Sequence, residues 1–216
     1  NTPGSYLNMG NSKGVAMGSV AVGDSIKNYV YLTASYNARL TGGVPSTDSQ
    51  GNYGINAYAI DMLTGNIAWH FNSDYAVNNN VTETPAIPAL LDIDENGDTD
   101  YVVFGDMDGR LWTLDAKEGK SIKQLASTDY PVYPLPVNGS LPYIGPIGSS
   151  VALYGNTAIF ATGGTEFSSN TDQYGVYATQ IFKNGAVNLL WAATDTDTDG
   201  TALFSTGEKI WSSPQL

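Results

Sequence analysis

"GINAYAIDMLTGNIAWHF" (residues 54–71) decides the fold. Apolar and small residues run up to a Gly-containing turn, "LTGN", and a second apolar run leaves it. This is the pattern of two short antiparallel strands joined at residues 63–65. It returns as "DGRLWTLDAKEGKSIKQL" (108–125), turning at 117–119, and as "YGVYATQIFKNGAVNLLWAA" (174–193), turning at 183–185. Upstream of each copy is another hairpin pattern: "GSVAVGDSIKNYVYLTASY" (18–36), "TPAIPALLDIDENGDTDYVVFGD" (84–106) and "GPIGSSVALYGNTAIFATGG" (145–164). A further copy starts at "KIWSSPQL" (209–216), which matches "TETPAIPAL" (82–90). The marker prolines Pro85, Pro146 and Pro214 are 61 and 68 residues apart.

Four short antiparallel strands, repeated at that interval with almost no helical periodicity, predict an all-β chain built as part of a β-propeller. The expected blades span about 15–72, 82–126 and 143–193, within one unit covering 1–216, and the next blade begins at about 208. Propellers typically close with about 4–8 blades. The expectation is therefore about three four-stranded blades plus the start of a fourth, the remaining blades lying in further sequence or in another chain. The competing architecture is a β-sandwich whose hairpins resemble one another by accident.

Composition narrows the function classes. The 216 residues carry 21 acids and 9 bases, a formal charge of -12, so no basic stripe is offered to nucleic acid or to an anionic membrane surface. Divalent cations are the natural partner of such a surface. With no cysteine there is no disulfide, thiolate zinc site or cysteine nucleophile in this chain. No apolar run approaches the length of a membrane span. The wealth of Asn, Thr, Ser, Gly and Tyr with few lysines reads as extracellular. His70 is the only histidine, and a lone strand histidine makes no catalytic set, so no catalytic residue and no enzyme activity are expected. Trp69, Trp112, Trp191 and Trp211 fall on strands as packing residues between blades. "YPVYPLPVNGSLPYIGP" (130–146) reads as a long connection between blades, serving either recognition or spacing. Asn80 and Asn138 stand in N-x-S/T sequons.

The chemistry concentrates in "DIDENGDTD" (92–100). Oxygen ligands alternate at Asp92, Asp94, Asn96, Asp98 and Asp100, and Gly97 sits where a calcium loop makes its sharp turn. Unscreened carboxylates this close would repel one another and resist ionisation. A Ca²⁺ ion, which takes six to eight hard oxygens in a flexible shell, removes that conflict. Mg²⁺, needing a tighter octahedron, fits five side chains of one loop less well. Position 12 is Val103, so the bidentate Glu of an EF-hand is missing and Asp100 must stand in for it. The alternative is a solvated acidic turn. "DTDTDG" (195–200) carries half of the same pattern and reads more readily as a solvated loop than as a second ion site.

"NAYAIDMLTGNIAW" and "GRLWTLDAKEGK" resemble the repeat of quinoprotein-type (PQQ-like) propellers, "GxLYALDAxTGxxxW"; the third copy has Gln180 nearest the place of the Asp. With the preceding loop, the middle repeat is similar to the C-terminal propeller of the PilY-type proteins, tip adhesins and retraction regulators of type IV pili. The matching residues are Asp92, Asp94, Asn96, Asp100, Tyr101, Gly105, Asp106, Gly109, Leu111, Trp112 and Asp115. The resemblance implies a calcium-binding propeller module of a pilus-associated adhesin or pilus-regulating protein. Its expected partners are pilus subunits or a host or surface ligand, and its expected place is extracellular or on the cell surface after periplasmic transit. A looser likeness is to the acidic loops of integrin-type repeats, which lack the "LWTLDAKEGK" continuation. Two other functions remain open: part of a PQQ-dependent quinoprotein dehydrogenase, or the scaffold propeller of an envelope assembly machine.

Overall fold

A computed structural model of the chain describes residues 21–23, 28–36, 54–73, 86–125, 128–137, 144–163 and 174–194, together with Ile210 and Pro214. Every regular element among them is a β-strand. The first sheet runs β1 (Ala21–Gly23), β2 (Tyr29–Tyr36), β3 (Gly54–Asp61) and β4 (Ile67–Ser73), antiparallel and in chain order. The middle sheet has β5 (Ala89–Leu91), β6 (Tyr101–Gly105) and β7 (Leu111–Asp115). A small ribbon of β8 (Lys123–Leu125) and β9 (Thr128–Tyr130) follows it. The last sheet runs β10 (Ala152–Tyr154), β11 (Thr157–Ala161), β12 (Gly175–Ile181) and β13 (Val187–Thr194), again in chain order. Trp211, the stretch 195–200, Asn80 and Asn138 lie outside the described residues.

The three sheets stack face to face in sequence order, and alternation along the middle strands shows why. Val102, Phe104, Trp112 and Leu114 point to one side, against Tyr31, Ala57, Ala59, Trp69 and Phe71 of the first sheet. Tyr101, Val103 and Leu111 point to the other, against Phe160, Tyr177 and Ile181 of the last. The register Val102↔Leu114, Val103↔Thr113 and Phe104↔Trp112 keeps partners on the same face. Each fully buried Val, Leu or Phe contributes about 1.5–3 kcal/mol, so a sheet packed on both faces is the most strongly held element. The first strands of the three sheets, β1, β5 and β10, lie side by side, as they do when sheets radiate from a common axis.

The chain also marks the passage from sheet to sheet in a repeated way. Thr33 Oγ1 donates to Ala86 O, Ile147 N donates to Asp106 O at 2.8 Å, and the Ile210 backbone lies against Gly163. Gly105 and Gly163 have no room for a Cβ because Ile147 and Ile210 occupy it.

Two features differ from the sequence reading. The middle repeat was expected to supply four strands, but only Ser121 bridges to Leu114 before β8 turns away to pair with β9. The Pro- and Tyr-rich stretch is partly core: Val132 and Tyr133 are buried between the middle and last sheets, and Leu111 N donates to Tyr133 O at 2.8 Å.

Candidate metal centre

The acidic loop 92–100 joins β5 to β6, as its sequence suggested. Its backbone is shaped by its own side chains. Asp92 accepts from Asn96 N at 3.2 Å and from Gly97 N at 2.7 Å. Asn96 Oδ1 accepts from Asp98 N at 2.8 Å, and Asp100 Oδ2 accepts from Ile93 N at 2.9 Å. Gly97 turns through φ 93°, a conformation that favours glycine, and Glu95 through φ 58°. Asp100 is tied into the sheet at both backbone ends: its N–H donates to Leu91 O and its carbonyl accepts from Ala116 N, each at 2.9 Å.

That folding gathers one carboxylate oxygen from each of Asp92, Asp94 and Asp100 within 4.8 Å of one another. Asp92 and Asp100 are partly buried and Asp94 is exposed. With ligands at 2.3–2.6 Å, two atoms of one calcium shell stand no more than about 5 Å apart, so the three could bind a single ion of that size. The donor set is hard, anionic and oxygen-only, which suits Ca²⁺ and not a soft metal. Of the five residues expected to ligate, the structure brings these three together. The Asp98 carboxylate lies outside the group, and the Asn96 amide oxygen is engaged by the turn.

The remaining counter-charge comes from a residue that the sequence reading did not single out. Lys183, in the β12–β13 turn of the last sheet, places Nζ 2.8 Å from Asp94 Oδ2. That hydrogen bond holds the Asp94 carboxyl below its ordinary range and raises the lysine above its own. Tyr101 OH donates to Lys183 O at 3.4 Å, so the loop also rests on the neighbouring turn. Nothing in the sequence pairs residues 94 and 183; only stacking of the sheets does.

A second acidic turn, Asp106–Arg110, leaves β6 at its other end. Asp106 is fully buried and surrounded by donors: Asp108 N and Arg110 N, each at 2.9 Å from Oδ1, and Trp112 Nε1 at 2.8 Å from Oδ2. Burial pushes its pKa up to about 7, against the opposing pull of Arg110 and these hydrogen bonds. Arg110 is buried too, and its guanidinium meets Asp108 Oδ2 at 2.9 Å. This turn is closed by its own chain. His70 is likewise structural: it stacks on Tyr58 with centroids 4.4 Å apart, and its Nε2 lies 2.7 Å from Asn56 Oδ1.

Stacked antiparallel sheets of three or four strands with an acidic loop define the general class, an all-β protein. No protein-family model matches the chain, and no curated protein matches it. Among solved structures it is similar to the crystal structure of the Pseudomonas aeruginosa PilY1 C-terminal domain, at TM-score 0.52 and 14% identity. That match covers 85% of this chain and 48% of the other. A europium-containing methanol dehydrogenase matches at TM-score 0.48 and 15% identity, covering 89% of this chain and 28% of that one. Both are β-propellers, and this chain spans about half of the first and about a quarter of the second. At such identities the likeness concerns the fold alone.

Proposed function

We propose that the chain is a calcium-binding segment of a β-propeller, its three stacked sheets being successive blades, in a non-enzymatic cell-surface protein of the pilus-associated kind. The observation that carries the cation reading is the convergence of Asp92, Asp94 and Asp100 on one point at the foot of β6. The propeller reading is supported by the ordered stacking, the neighbouring first strands and the repeated approach of Ala86, Ile147 and Ile210 to the preceding sheet. The pilus reading is supported by the motif from Asp92 to Asp115 together with the fold shared with the PilY1 domain.

In this reading Ca²⁺ replaces Lys183 as the partner of Asp94 and joins it to Asp92 and Asp100. The ion would lock the β5–β6 connection against the turn of the next sheet, stiffening a surface from which a partner could be held. Binding to the folded chain alone raises stability by RT ln(1 + [L]/Kd). With Kd in the extracellular range of about 10⁻⁴–10⁻³ M, about 10 mM calcium adds roughly 1.4–2.7 kcal/mol. Scanning calorimetry with calcium and with chelator tests this. A higher melting temperature in calcium is expected, and equal temperatures would leave the loop a solvated acidic turn.

A further inference from the structure

The two seams of the stack differ in how they treat polar atoms. Across the seam between the first and middle sheets, side-chain donors meet carbonyls directly. Tyr31 OH donates to Ala116 O at 3.3 Å, Trp69 Nε1 donates to the same oxygen at 2.8 Å, and Thr33 Oγ1 donates to Ala86 O. Among the described residues, three buried side-chain oxygens have no hydrogen-bond partner in the protein: Thr113 Oγ1, Thr179 Oγ1 and Ser149 Oγ. All three belong to the seam between the middle and last sheets.

Thr113 lies on β7, where Trp112 and Leu114 face the first sheet and Leu111 faces the last. Alternation puts Thr113 on the side of Leu111, and its cross-strand partner Val103 belongs to the core of the second seam. Thr179 lies on β12 between Tyr177 and Ile181, which face the middle sheet, and opposite Ala158 of the same core. Both threonines are 0% exposed. Ser149 stands between Ile147 and Val151 in the chain, and both of these are in that core.

The first seam shows what fills the same positions without hydroxyls. Ala59 precedes the turn-shaping Asp61 by two residues, as Thr113 precedes Asp115. Ala59 pairs with Trp69 and Ala178 with Trp191, each beside a bulge, so Thr179 follows Ala178 as Leu114 follows Thr113. Thr113 and Thr179 therefore correspond to Ala59 and Leu114, which belong to one apolar cluster across the first seam. In the second seam both positions carry a hydroxyl, one from each sheet. A buried hydroxyl without a partner is costly, and buried polar groups are bonded to protein or to ordered water in nearly every case. Two threonines also occupy slightly less volume than an alanine and a leucine, which favours room for a small molecule between them.

We propose that the seam between the middle and last sheets holds an ordered internal water, bound by the hydroxyls of Thr113 and Thr179 from opposite sheets. Two neutral hydroxyls, each able to donate and to accept, match a water molecule and offer no charge to an ion. The first seam is then dry and the second wet within one chain. The inference stands on the strands and does not depend on the cation loop.

Water-to-protein cross-relaxation in NMR spectra of the methyl-labelled whole chain tests it. The methyls of Thr113 and Thr179 should both show contact with a long-lived water. Thr113→Val should abolish the contact at Thr179, whereas Thr113→Ser should keep it. Thermal unfolding gives a second readout. Thr113→Val and Thr179→Val should each melt about 2–4 °C below wild type, the shift for one lost hydrogen bond in a chain of this size. The double variant should lose less than the sum, because the water is shared. Should a valine variant fail to fold, the wild-type and Thr113→Ser spectra decide. Absence of long-lived water at either methyl in wild type, its loss in Thr113→Ser or its persistence at Thr179 in Thr113→Val overturns the proposal. So do valine variants that melt at or above wild type, or additive losses in the double variant.

Discussion

The two acidic turns at either end of β6 contain the same residue type and arrive at opposite solutions. Around Asp106 the chain supplies everything the carboxylate needs: two backbone N–H groups, the Trp112 indole and a buried Arg110 nearby. Around Asp92, Asp94 and Asp100 it supplies turn-forming N–H bonds and one exposed lysine from another sheet. The first is a fastener, whose cost of burial is partly offset within the protein. The second gathers three carboxylates, one of them paired with Lys183, into a group that could hold a cation.

The largest effect should follow from breaking the closed turn. Asp106→Ala removes the acceptor of two buried donors and one partly buried one, the buried ones each costing about 1–3 kcal/mol when unpaired, and should lower stability by roughly 3–5 kcal/mol in urea denaturation. That loss should be the same with and without calcium, which separates the two turns. Asp106→Asn sharpens the point through pH. The amide oxygen can still accept from the two backbone N–H groups, but its NH₂ faces the Trp112 N–H, at a cost of about 1–3 kcal/mol. The folded pKa of Asp106, about 7, lies above the ordinary 3.8, so the folded chain binds this proton more tightly than the unfolded one. Its contribution is then fully present below the ordinary value and is lost as pH rises toward 7. Stability measured against pH should fall across that interval in wild type and be flatter in Asp106→Asn.

The open loop should respond differently. Asp100→Ala should abolish the calcium-dependent rise in melting temperature and cost about 1 kcal/mol in chelator, from the lost bond to Ile93 N. Asp98→Ala should shift the calcium response by less than about threefold in Kd, since its carboxylate stands outside the cluster and a seventh loop position coordinates through its backbone carbonyl. The smallest effect belongs to Lys183→Met. The pair is exposed and screened by solvent, so chelator-state stability should barely move. Calcium affinity should rise a few-fold in a titration, because the ion no longer has to displace an ammonium from Asp94.

Much of this was legible before the fold was seen. The hairpin at residues 54–71 and the turn that follows β7 were legible because Asp61 and Asp115 cap their turns identically, and the alternation from Asp92 to Asp100 marked the loop. What escaped was set by contacts between distant segments. "KSIKQL" has the composition of a fourth strand, yet β8 finds β9 as its partner after the single bridge at Ser121. Val132 and Tyr133 sit in a Pro-rich stretch that argued for a spacer, but the gap between two sheets takes their side chains into the core. Asp98 and Asp94 look alike in sequence, yet only Asp94 is grouped with Asp92 and Asp100, in a loop that takes positive φ at Glu95 and Gly97. Lys183 is invisible without the third dimension.

The direct test of the contrast between the two turns is a calorimetric titration of the wild-type chain with calcium, at low ionic strength and neutral pH. The account predicts one saturable site per chain with Kd at or below about 10⁻³ M, absent in Asp100→Ala. Titration heats that never exceed dilution, or a saturable site retained in Asp100→Ala, would contradict it.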